Sequence, residues 1–159
     1  DQILELLLKP GTKQIVFLSI WDLLKARKRK GDFAECIKSA DLILSLEPME
    51  ALRYLPYLSE NGWIVTSSIS FKNIPNYPDE ADVINEIKKV KNHVLIDVDA
   101  LAKEAGSLRT ANIVLLGAAL PYLGLPEQYI EDAIRSIFAR KGEEIVELNL
   151  KALRAASNK

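Results

Sequence analysis

Residues 41–53 read DLILSLEPMEALR, and this stretch decides the fold. Leu42, Ile43, Leu44 and Leu46 form a short apolar run bounded by polar residues, the mark of a strand buried on both faces, as parallel sheets require. Glu47-Pro48 then opens a helix, because proline's missing N–H is not needed in a first turn. Met49, Leu52, Leu55 and Leu58 recur on or near one face of that helix. A buried strand feeding directly into an amphipathic helix is the building unit of α/β folds.

The same alternation continues downstream. Asn61-Gly62 marks a turn, and Trp63–Ser67 reads as a second strand rich in aromatic and β-branched residues. A polar, proline-containing loop runs to Pro78, and Asp79–Val90 reads as a surface helix with Val83, Ile87 and Val90 facing the core. His93–Asp97 is a third strand. Asp99 is placed to cap a helix over Ala100–Ala105, with Gly106 as its stop. Thr110–Leu120 (TANIVLLGAAL) is apolar nearly all round and is expected to be a central helix packed on several sides. Two further helices, Pro126–Arg140 (with Ile130, Ile134, Ile137 and Phe138) and Glu143–Ala156 (with Val146, Leu150 and Leu153), are separated by Gly142. Upstream of Ala40 the pattern predicts a short apolar helix, a break at Pro10-Gly11, a strand at Gln14–Leu18 and a helix over Trp21–Lys28. The expected fold is a single α/β domain over residues 1–159, a three-layer αβα, Rossmann-like arrangement with a mostly parallel sheet.

Bulk properties narrow the function classes. With 48% hydrophobic and 27% charged residues, the chain has the composition of a folded globular protein. Twenty-one basic against 22 acidic residues leave a formal charge of −1, so no global field selects nucleic acid or an anionic membrane, and neither is expected as a partner. The local basic run Lys25, Arg27, Lys28, Arg29 and Lys30 reads as a solvated helix end. The single cysteine, Cys36, excludes an internal disulfide framework, and a cluster of iron and sulfur needs several thiolates at defined spacing. His93 is the only histidine, which leaves no material for a histidine-rich metal centre or a Ser/His or Cys/His pair; no metal site and no catalytic residue are assigned. No secretory pattern and no bilayer-length apolar run are found, so the expected compartment is the cytoplasm.

Three groups of residues are candidates for ligand or partner contact. Glu47, Met49 and Glu50 sit at a strand-to-helix junction, and open α/β sheets take ligands outside the carboxyl ends of their strands. The alternative for the two carboxylates is that they favour the positive end of the helix dipole, at roughly 0.3–1 kcal/mol each. Arg109 and Asn112, three apart near the start of the apolar helix, offer a guanidinium fork and an amide for a carboxylate or phosphate. Their alternative is to tie the loop after Gly106 to neighbouring carbonyls. Ser67, Ser68 and Tyr77 place hydroxyls after the second strand and in the loop ending at Pro78, where function often resides.

From Ala40 (ADLILSLEPMEALR) to the C-terminus the sequence resembles the beta subunit of indolepyruvate ferredoxin oxidoreductases. The likeness continues through YLPYLSENGWIVTSS, the NYP at Asn76–Pro78, DVDALAKEAGSLRTANIVLLGAA at Asp97–Ala119 and VELNLKALRAA near the end. It implies a catalytic domain shared with the gamma parts of pyruvate and ketoisovalerate ferredoxin oxidoreductases. In that family partner subunits carry thiamine diphosphate and the iron–sulfur clusters, and the enzyme converts a 2-oxoacid and coenzyme A to acyl-CoA and carbon dioxide while reducing ferredoxin. The resemblance therefore implies a chain with no cofactor of its own, working on a thiamine-binding, Fe–S alpha subunit and, through the complex, on ferredoxin. The family's N-terminal G-x-G-G-Q-G turn and H-G-x-x-Q-R-G-G segment are not found, and residues 1–39 read as a divergent segment. Two other functions compete: a stand-alone Rossmann-like coenzyme-binding module, and a degenerate interaction protein that keeps the fold without the enzyme.

Overall fold

The structure, a computed structural model, describes the backbone of residues 15–18 and residues 40–72 and 75–157. Cys36, the basic run at 25–30, the Pro10-Gly11 break and the helices expected before Ala40 lie outside the described residues. The chain divides into two compact units, one over Gln14–Asp97 and one beginning at Val98.

The first unit holds a four-stranded sheet: β1 (Ile15–Leu18), β2 (Ala40–Ser45), β3 (Leu58–Ser67) and β4 (His93–Ile96), in that spatial order. Every pairing is parallel, with Ile43 opposite Ile64 and Ile64 opposite His93. The α/β class and the parallel sheet are those the sequence predicts. Leu42, Ile43, Leu44, Ile64 and Val65 are all buried, so both alternating sets of side chains on the central strands are covered, which explains why their sequences are nearly continuous in apolar residues. Helices α1 (Pro48–Arg53) and α2 (Glu80–Lys88) lie on one face, where Ala51 and Ile87 meet Ile43 and Ile64.

Two expectations are corrected here. The helix opened at Pro48 was expected to carry Leu55 and Leu58, but α1 ends at Arg53 and a 3-10 turn occupies Leu55–Tyr57. Pro56 is the physical cause: it has no N–H for an i−4 bond and it disfavours the helical conformation at the residue before it. Leu52, Leu55 and Leu58 nonetheless pack on one core cluster. Asn61-Gly62 is not a turn, since β3 runs unbroken through it. Glycine serves there as a point of close approach: a Cβ on Gly62 would sit 2.8 Å from the Ala40 carbonyl oxygen, beside the register irregularity between Ala40 and Leu42.

The second unit is helical: α3 (Val98–Ala105), α4 (Ala111–Leu123), α5 (Glu127–Phe138) and α6 (Glu143–Ser157). Asp99 was expected to cap α3 from outside, but the helix starts at Val98 and Asp99 sits within its first turn. A carboxylate there still favours the helix dipole. Gly106 ends α3 with φ +122°, and Gly124 ends α4 in the left-handed conformation at φ +69°. As its all-round apolar sequence predicts, α4 is buried without a break from Ile113 to Leu120. It lies against α6 so closely that a Cβ built on Gly117 would stand 2.1 Å from the Leu153 carbonyl oxygen. Ile130 and Ile134 of α5 are buried, whereas Ile137 is 51% exposed. Among the described residues no helix is long and apolar enough to cross a membrane.

Candidate functional site

The junction after β2 is built by its own side chains. Ser45 is buried at the strand's end; its hydroxyl donates to the Glu47 carbonyl at 2.8 Å and accepts from the Glu47 N–H at 3.2 Å. This closes a local turn of the kind serine side chains favour. Glu47 then adopts extended backbone angles as the N-cap of α1, with Oε2 accepting from the Glu50 N–H at 3.0 Å. Its other oxygen, Oε1, accepts from the Tyr77 hydroxyl at 2.5 Å, across 30 residues of sequence. The structure thus brings Glu47 and Tyr77, candidates from two separate groups, into direct contact.

That contact shapes the phenol's chemistry. Burial, followed by the bond to the Glu47 carboxylate, pushes the Tyr77 hydroxyl up to about 12 from its ordinary 10.0. Glu50 is largely covered: its Oε1 pairs with Arg53 at 3.0 Å, while Oε2 is buried without a hydrogen-bond partner. Met49 is half-buried in the same first turn. Ser67 is buried and its hydroxyl accepts from the Ile69 N–H at 3.1 Å, and the Ser68 N–H donates to Ile96 at 2.7 Å. Both serines therefore shape the chain as it leaves β3. Thr66 was not singled out from the sequence: fully buried, with an unpaired hydroxyl, it lies opposite Ser45 in the sheet register. The cross-strand pairing that sets it there has no signal in a single sequence.

Arg109 and Asn112 belong to the other unit. Arg109 is exposed in a 3-10 turn (Leu108–Thr110), where Ser107 accepts its N–H at 3.2 Å. Asn112 is exposed in the first turn of α4 and uses Oδ1 on the adjacent Ile113 N–H at 3.0 Å. The cap residue Thr110 spends its hydroxyl on the Ser107 carbonyl at 2.7 Å, and α4 has neither a side-chain cap bond nor an acidic first turn. The Ala111 N–H is bonded to the Leu108 carbonyl and the Ile113 N–H to Asn112, so what the start of α4 offers a carboxylate or phosphate is the exposed Arg109 guanidinium and the amide nitrogen of Asn112. Leu108, 50% exposed, adjoins them in sequence. Among the described residues, no three His, Cys, Asp or Glu side chains come together as a metal site. His93 is occupied locally, its Nδ1 lying 2.7 Å from the Val90 carbonyl oxygen.

The sequence profile of the family described as pyruvate ferredoxin/flavodoxin oxidoreductase matches residues 25–159, beginning upstream of the likeness that starts at Ala40. Indolepyruvate oxidoreductase subunit IorB of Archaeoglobus fulgidus is 35% identical over 130 residues, covering 75% of this chain and 62% of that protein. The subunit of the same name from Thermococcus kodakarensis is 36% identical over 110 residues, covering 60% of this chain and 52% of its own length. The chain thus spans between half and two thirds of the length of these relatives. Among solved structures, the gamma subunit of keto/oxoacid ferredoxin oxidoreductase from Geobacter sulfurreducens PCA matches with a TM-score of 0.54 and 26% identity, over 75% of this chain and 63% of that one. A 2-oxoglutarate:ferredoxin oxidoreductase from Magnetococcus marinus matches in fold alone, with a TM-score of 0.52 and 19% identity over 77% of this chain and 20% of that one. The profile covers both the EPMEALR junction and the G-x-x-R-x-x-N block that opens α4, and on that match the chain belongs to the pyruvate ferredoxin/flavodoxin oxidoreductase family.

Proposed function

We propose that this chain is the non-redox subunit of an indolepyruvate-type 2-oxoacid:ferredoxin oxidoreductase, working in the cytoplasm on a partner that carries thiamine diphosphate and iron–sulfur clusters. The complex oxidatively decarboxylates an aryl 2-oxoacid with coenzyme A, giving an acyl-CoA and carbon dioxide and passing the electrons to ferredoxin. The family match over residues 25–159 carries this reading. The chain's own residues support the division of labour. One cysteine does not fit an iron–sulfur cluster, and seven glycines scattered from Gly11 to Gly142 do not fit a glycine-rich turn around a diphosphate. The scattered glycines also disfavour a stand-alone coenzyme module.

In this reading the chain contributes recognition. Arg109 and Asn112, exposed at the start of α4, take a carboxylate or phosphate from ligand or partner, and the edge formed by Glu47, Met49, Glu50, Ser67 and Tyr77 is a second contact region. The test is assembly. Mixed with the thiamine-bearing subunit, the purified chain is expected to co-elute with it on size exclusion at fixed stoichiometry, with iron and thiamine found only in the joint peak and the partner's own peak. Separate elution at micromolar concentrations of both would refute the proposal.

A further inference from the structure

Glu47 is used twice: one carboxylate oxygen caps α1 through the Glu50 N–H, and the other holds Tyr77. Tyr77 stands two residues before Asp79, which caps α2 by accepting from the Ala81 N–H at 2.8 Å. Both helices begin at the carboxyl edge of the sheet, because α1 follows β2 and α2 follows β3 in a parallel arrangement. They pack on each other and share the core cluster containing Ala51 and Ile87. A single carboxylate therefore links the first turn of α1 to the segment that leads into the cap of α2, and Ser45 fixes the backbone of Glu47. The local turn and the cap already account for Ser45 and for Glu47 Oε2. They give no account of the Tyr77 bond, which joins segments far apart in sequence through an ionised acceptor, the stronger kind of hydrogen bond.

We propose that Tyr77 is a positioning residue that couples the N-terminal ends of α1 and α2 through Glu47. The coupling fixes the spacing of these helix ends, at the edge where open parallel sheets receive ligands or partners. It is a property of this chain by itself and does not depend on the assembly proposed above. Amide exchange rates of the full chain, measured by NMR, test it through local opening. In Tyr77→Phe, exchange at Glu50 and at Ala81 is expected to accelerate together by about tenfold, the scale of one lost hydrogen bond to a charged group, while the buried Ile87 amide is unchanged. In Asp79→Ala, which removes the α2 cap alone, Ala81 should accelerate and Glu50 should not. Acceleration in Tyr77→Phe confined to Ala81, or no acceleration at either amide, would overturn the coupling. An Asp79→Ala variant that loosened Glu50 as much as Tyr77→Phe does would overturn it too, by showing that the helix ends communicate without the tyrosine.

Discussion

Replacing Gly117 by alanine puts the packing of the helical unit to a direct test. On helix propensity alone the change favours the folded state by about 1 kcal/mol, because glycine is the poorer helix former. The environment opposes it. The new Cβ would lie 2.1 Å from the Leu153 carbonyl oxygen, 3.0 Å from its carbon and 3.3 Å from its Cα, all of them backbone atoms in the middle of α6. Ordinary contact begins near 3.4 Å, so α4 and α6 must part by about 1.3 Å at their crossing, or one of them must bend. Leu153, Leu150 and Val114 are buried on these two helices and have no solvent side toward which to relax. Overpacking of this kind costs about 1–3 kcal/mol, occasionally more. With a clash against backbone placing the cost at about 3 kcal/mol and the propensity gain offsetting about 1, the expected net effect is a loss of roughly 2 kcal/mol, seen in urea unfolding as a lower midpoint at an unchanged slope and in heating as a Tm drop of several degrees. A Gly117→Ala variant as stable as the parent, or more stable, would show that the helices do not approach as closely as described.

Leu116→Asp should prevent folding, because an unpaired carboxylate at this buried position costs several kcal/mol, a large share of a typical domain's stability; soluble, cooperatively unfolding protein would refute the placement. Since the Tyr77 hydroxyl is raised from 10.0 to about 12, the neutral phenol is favoured in the folded state, and the contribution is fully present below about pH 10 and lost as pH rises through about 12. The stability difference between the parent and Tyr77→Phe should therefore hold steady to about pH 9.5 and shrink above it; a difference that grew with pH would contradict the bond to Glu47. Arg109→Ala, at an exposed position, should change stability by no more than about 0.5 kcal/mol yet weaken association with the partner by about 2–5 kcal/mol, as calorimetric titration would show.

Much of the fold was legible because the strands are buried on both faces. Leu42–Leu44 and Ile64–Val65 advertise a parallel sheet by composition, and the unbroken apolar run of α4 announces its burial. What escaped the sequence was decided by tertiary contact. Asn61-Gly62 has the composition of a turn, but Ala40 crosses closely enough that glycine is needed within a strand. Pro56 carries a local signal for the end of α1 that competes with the helical spacing of Leu52, Leu55 and Leu58, which share a cluster while lying on three kinds of backbone. At the candidate site, the strand-to-helix pattern marks Glu47, and the spacing Ser45-x-Glu47 is itself a local turn signal. The Tyr77 contact and the buried, unpaired Thr66 hydroxyl depend on strand pairing and loop return, which periodicity does not encode.

On the function proposed here, this chain acquires an oxidoreductase role only by completing a thiamine-bearing partner. The most direct measurement is 2-oxoacid-dependent reduction of a viologen dye, with coenzyme A present, by the chain alone, by the partner alone and by the two mixed. Indolepyruvate-dependent reduction that appears only in the mixture, and saturates at a fixed ratio of the two polypeptides, is the result predicted. Turnover of indolepyruvate by the isolated chain, or a partner whose rate is the same with and without it, would contradict that role.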